Sequence, residues 1–151
     1  MYDKTVTVFN KYEDQTGEIY WYPHVLSDVD LIVDKAANIA KTGLDSADTA
    51  KLHVKYHIVD GNKMVGNLPW LPPKEWERQP NDELSESITF DSGDFFMEGE
   101  YSTDPIKDSD YTDRVNSGFY DYINKRHDYV FLITNVGGPY TLIPHFEIGG
   151  A

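Results

Sequence analysis

The chain has 151 residues, 40% hydrophobic and 14% aromatic, enough for one domain with a buried core rather than a disordered segment. Its 26 acids against 13 bases give a formal net charge of −13, a balance that repels phosphate backbones and argues against sequence-reading of nucleic acid. It has no cysteine, which removes disulfides and thiolate metal sites and suits folding in a reducing cytoplasm, and no apolar run approaches the ~18 residues of a membrane span.

The opening residues, Met1-Tyr2-Asp3-Lys4-Thr5-Val6, lack the basic and apolar regions of a secretory signal, so none is expected. Residues 5–12 alternate as a strand, with Val6 and Val8 on one face and Thr5 and Thr7 on the other. A polar turn at 13–17 leads to a β-prone segment at 19–22. Pro23 is expected to interrupt its pairing, as at an edge or bend. The β register resumes through Val25-Leu26 and residues 29–33. Residues 34–41 read as a further strand, ended by Thr42-Gly43, and residues 44–48 as a turn. Residues 49–58 form a strand with His53, Lys55 and His57 on one face and Leu52, Val54 and Tyr56 on the other.

From Asp60 the alternation stops. Residues 60–113 read as one long acidic excursion from the sheet, containing Leu68-Pro69-Trp70-Leu71-Pro72-Pro73-Lys74-Glu75-Trp76. The proline pair suits the first positions of a single helical turn, and loops of such length are usually functional or partner-bound. Short strand-like pieces lie within it at 87–90 and 94–97. Residues 109–126 are part loop and part short helix, with Phe119, Tyr122 and Ile123 at helical spacing. Residues 128–136 then form a strand, Gly137-Gly138-Pro139 a tight turn, and residues 140–148 a closing strand expected to be paired, buried and to complete the fold. The expectation is a single all-β, or β-rich, domain over 1–151: a small barrel or sandwich with the long loop excursion and one or two short helices.

The charge is uneven. Residues 82–113 hold eleven acids and one base, Lys107, whereas residues 114–151 carry three of each. A solvated acidic face that favours solubility is the ordinary reading. Pairs such as Asp28/Asp30, Glu98/Glu100 and Asp108/Asp110 are the raw material of carboxylate catalysis, but a chain with 26 acids makes such pairs by chance. His53 and His57 would clamp a metal from a helix; on a strand, residues four apart stand ~13 Å apart at ~3.3 Å per residue, so no metal is expected. No Gly-x-Ser-x-Gly elbow occurs, and no catalytic residue or cofactor is assigned. The aromatics Tyr20, Trp21, Tyr22, Trp70 and Trp76 fit core packing, interface anchors or a sugar-stacking platform.

The order of certain pieces carries a resemblance. These are Thr5-Val6-Thr7-Val8-Phe9-Asn10, Val25-Leu26-Ser27-Asp28-Val29-Asp30, Lys41-Thr42-Gly43, Ser46-Ala47-Asp48, the Leu68-to-Trp76 run, Gly93-Asp94-Phe95-Phe96-Met97-Glu98-Gly99 and Pro144-His145-Phe146-Glu147-Ile148-Gly149. Nearly end to end, the chain resembles small virion proteins encoded by tailed phages of Gram-positive bacteria beside the portal and minor capsid genes, and is similar to the head-completion (head-closure) group. The resemblance implies a non-enzymatic β-barrel subunit of a ring, usually dodecameric, that joins the portal–adaptor complex to the tail or tail terminator, at the virion neck, after synthesis in the host cytoplasm. DNA would pass non-specifically through its channel and no membrane would be involved. On that reading Leu68, Trp70, Leu71 and Trp76 would be interface anchors, and Asp91, Asp94, Glu98 and Glu100 would face the channel or solvent. A tail terminator or other neck ring is the neighbouring possibility. An acidic carbohydrate-binding or hydrolase domain using Trp21, Trp70 and Trp76 is the rival from another class.

Overall fold

A computed structural model describes residues 1–34 and 48–151. The strand expected over 34–41 and the turn over 44–48 lie, but for Asp34 and Asp48, outside the described residues. Strand β1 (Lys4–Glu13) turns into β2 (Ile19–Asp34) through a side-chain-built corner. Asp14 Oδ1 there accepts bonds from the Thr16 amide at 2.9 Å, the Thr16 hydroxyl at 2.6 Å and the Glu18 amide at 3.0 Å. The two strands pair from Glu13↔Ile19 to Lys4↔Val29. Pro23 does not interrupt them: it sits opposite Phe9 within the ladder, and the second neighbour of β2 has already ended at Trp21. The irregularity comes later, where two residues, Ser27 and Asp28, face Thr5 alone and Asp28 takes φ 57°. Past this bulge β2 exchanges β1 for β3 (Thr49–Lys55) as its partner.

Burial through β3 alternates as its sequence does, but the strand stops at Lys55. Strands β4 (His57–Val59), β5 (Asn62–Val65) and β6 (Leu68–Pro69) make a separate three-stranded sheet. The β4–β5 turn is Asp60-Gly61, both at positive φ, the combination a two-residue hairpin of right-handed twist needs. Helix α1 (Pro73–Glu77) starts on its proline, and a 3-10 turn follows at Asn81–Glu86. Then come β7 (Phe95–Glu98), β8 (Ile106–Lys107), α2 (Phe119–Asn124), β9 (Val130–Tyr140) and β10 (His145–Gly150).

The neighbour order β1-β7-β9-β10-β3-β2, closed by the β1–β2 pairing, is a six-stranded antiparallel barrel, with β8 added outside β2. Two expectations need correction. The stretch 60–113 is not one excursion, because β7 is a wall strand between β1 and β9. Nor is Gly137-Gly138-Pro139 the hairpin turn. Strand β9 runs through it to Tyr140, with a register slip at Gly138 and Pro139, and residues 141–144 make the turn.

Alternation sorts the wall residues. Val6, Val8, Phe96, Phe131, Ile133, Phe146 and Ile148 point into the barrel core, while Phe9, Phe95, Met97 and Val130 point outward. The outward set would be an apolar patch on the surface, but α2 covers it with Phe119 and Ile123. A third cluster, Tyr22, Trp76 and Leu84, is supplied by β2, α1 and the 3-10 turn.

Candidate functional site

The residues 68–76 hold onto their own barrel. The Trp70 amide donates to the Lys63 carbonyl at 2.7 Å and the Leu71 amide to the Ile88 carbonyl at 3.0 Å. Leu68 and Trp70 are half-buried on the main core, Trp70 with its ring 5.0 Å from Phe146, and Leu71 is half-buried beside Trp76. Trp76 is 1% exposed, edge-on to Tyr22 at 5.8 Å, with Nε1 donating to the Ser87 carbonyl at 3.2 Å. An indole sequestered this way is core, so Trp76 is not the interface anchor expected of it. The sugar platform fails on the same ground: Trp21 and Trp76 are both buried in separate clusters.

The expected acidic set divides. Asp91 and Glu100 are exposed and Glu98 is half-buried, whereas Asp94 is 3% exposed. Its carboxylate accepts from the Lys11 amide at 2.9 Å, Asn10 Nδ2 at 3.0 Å and the Asp91 amide at 3.1 Å. Burial pushes its pKa up to about 7 against the pull of those donors. Asp94 is therefore a wall fastener and not a channel-facing acid. Asp108 is another fastener, accepting from Trp21 Nε1 at 2.9 Å and the Phe119 amide at 2.8 Å.

The histidines separate as strand geometry requires. His57 is exposed on β4, while His53 lies in a cross-strand row on the barrel exterior, 3.3 Å from Asp30 and 3.8 Å from Glu147. Among the described residues no group of three His, Asp or Glu side chains is arranged to hold a metal ion.

Among the described residues, two further features carry no motif. One is a cleft of about 440 Å³ along β2 residues 23–29, facing the end of β3 and the β5–β6 turn. Val25 and Leu68 are its half-buried apolar lining, Leu26, Val29, Val54 and Val65 reach it only from the closed core, and Asp28 and Lys55 are its two charges. His24, 3% exposed, also lines it; its Nε2 has no hydrogen-bond partner, and burial pushes its pKa down to about 4, leaving a neutral ring. The other is the β9–β10 turn, where Leu142 is 87% and Ile143 76% exposed. It is anchored at its base, where the Tyr56 hydroxyl donates to the Tyr140 carbonyl at 2.7 Å. The sequence signal for this turn was charge: residues 129–144 contain no Asp, Glu, Lys or Arg.

All 151 residues match the model of a family of unknown function, DUF6751, and the chain belongs to that family. It matches no curated protein and no solved structure.

Proposed function

We propose that this DUF6751 member is a non-enzymatic virion subunit, a head-completion ring protein at the neck of a tailed phage, between the portal–adaptor complex and the tail. The observation that carries the reading is the projecting turn with Leu142 and Ile143 on a subunit of net charge −13. Two adjacent bulky aliphatic side chains held in water on an acidic chain suit contact with a partner. The closed barrel supports it too, since closure removes the free strand edges of the wall and leaves loops and turns to make contacts. On the resemblance to head-closure proteins, the partners would be further copies of the chain in a ring, with portal–adaptor and tail proteins above and below.

Acidic side chains such as Asp91 and Glu100 suit a wall past which DNA slides without sticking. A tail-terminator ring has the same requirements and is distinguished by position in the particle. The carbohydrate reading has lost the stacking surface that motivated it. The test is composition of purified particles of the encoding phage, with immunogold localisation. Multiple copies at the head–tail joint are expected; a chain recovered only in the soluble lysate would overturn the proposal.

A further inference from the structure

One stretch of strand edge escapes the closure of the barrel. The Asp14 amide donates to the Glu18 carbonyl at 2.9 Å, which sets the alternation of the β1–β2 ladder. Tyr20, Tyr22, His24 and Leu26 turn their backbone groups toward β1, and Trp21, Pro23 and Val25 turn theirs away. On that far edge β8 pairs at Tyr20 and Trp21, and β3 pairs from Asp30 to Asp34. Between these two, among the described residues, no strand pairs with the far edge of β2, and the cleft of about 440 Å³ runs along the gap. We propose that this cleft is a peptide-binding slot, in which an extended segment of another protein adds to β2 as a short strand between β8 and β3.

The residues of the gap suit that use. Pro23 stands where its missing N–H would face the slot, a position that an edge tolerates and a paired ladder does not. Val25 presents both a backbone N–H and a C=O to the same side. The bulge at Ser27 and Asp28 ends the free stretch and hands β2 on to β3. A strand edge recognises backbone, so the ligand it selects is a polypeptide in extended conformation. Side chains of an added strand alternate between the outside and the barrel. On the barrel side the slot is lined by buried His24, whose Nε2 has no hydrogen-bond partner, a state folded proteins rarely tolerate. A neutral imidazole nitrogen is satisfied by a hydroxyl, so the inward position of the segment takes Ser or Thr. Asp28 and Lys55 have opposite sign, and the slot asks for no charge on its ligand. A second copy would bring −13 to a chain of −13, which favours a segment from a different protein. None of this depends on the virion reading.

A display library of short random peptides, selected on the full-length chain, supplies the probes, and synthetic copies of the selected sequences are titrated. They should share a Ser or Thr at one position. Methylating backbone nitrogens on one alternating set should weaken binding at least about tenfold, and on the other set by less than about twofold. In the complex the Val25 amide should exchange with solvent at least about tenfold more slowly. Val25→Pro removes an N–H that faces away from β1, and Asn67→Trp fills the exposed rim; each should abolish binding with the thermal melt retained. If Val25→Pro does not fold, Asn67→Trp and the methylated peptides decide alone. Selection of no peptide, equal sensitivity of both alternating sets to methylation, or binding that Asn67→Trp leaves intact would overturn the proposal. So would protection of the Val25 amide that grows with concentration of the chain alone, which would put a second copy in the slot.

Discussion

Asn10 and Asp94 meet inside the barrel wall, with Asn10 Nδ2 donating to Asp94 Oδ2 at 3.0 Å and to the Thr89 carbonyl at 2.7 Å. One amide thereby ties β1 to the segment that delivers β7 into the wall. Both residues are buried, so neither can turn to water if its partner is lost. Asn10→Ala should cost about 2–4 kcal/mol in urea unfolding, because it strands a buried carboxyl and the polar groups of Thr89. A cost within about 0.5 kcal/mol, the size of a surface substitution, would contradict this bridge.

Asp94 and His24 should make opposing contributions to acid stability. Between about pH 4 and 7 the folded chain keeps a proton on Asp94 that the unfolded chain has released, so this group's contribution weakens as pH rises. Between about pH 4 and 6.5 the unfolded chain protonates His24 and the folded chain does not, so that contribution weakens as pH falls. The two slopes offset one another in the natural protein. Asp94→Asn should therefore gain stability, relative to it, as pH rises from about 4 to 7, and His24→Gln should lose stability over the same rise. Each difference should reach roughly 1–3 kcal/mol across the window. Unfolding midpoints of the three proteins against pH decide it, and identical pH profiles would refute the assignment.

Trp76→Ala should destabilise the isolated subunit by about 3–5 kcal/mol, the range for truncating a large buried aromatic. Leu142→Asp, on the exposed turn, should change subunit stability by less than about 0.5 kcal/mol. Thermal melts of the two variants give the comparison; equal losses would mean that Trp76 is not core.

Removing residues 146–151 takes most of β10, which pairs with both β9 and β3 and buries Phe146 and Ile148. The barrel would be cut open in mid-wall. The truncated chain should fail to fold, and a soluble product with a cooperative melt would contradict the closed barrel.

Local pattern carried the fold a long way and the surface much less. Alternation over Thr5–Val8 and Leu52–Tyr56 reported which side chains enter the core, because a period of two survives any strand order. Phe95-Phe96-Met97 is different: all three are apolar since one wall face meets the barrel core and the other meets α2, so no alternation marked β7 as wall. The Asp60-Gly61 hairpin was legible in its dipeptide and was absorbed into the supposed excursion. Asp94 sat among acids and shared their composition; only the tertiary approach of Asn10 and the Lys11 amide makes it structural. Trp76 and Leu142 mark the same limit. Trp76 has the residue type of an anchor but is core, and Leu142 has the residue type of a buried closing strand but is exposed.

The proposed place at the head–tail joint is tested most directly by deleting the gene in its phage and imaging the lysate by electron microscopy. Filled or leaking heads without tails, alongside free tails, are the predicted result, with restoration by the natural gene. Normal infectious particles from the deletion would contradict the account.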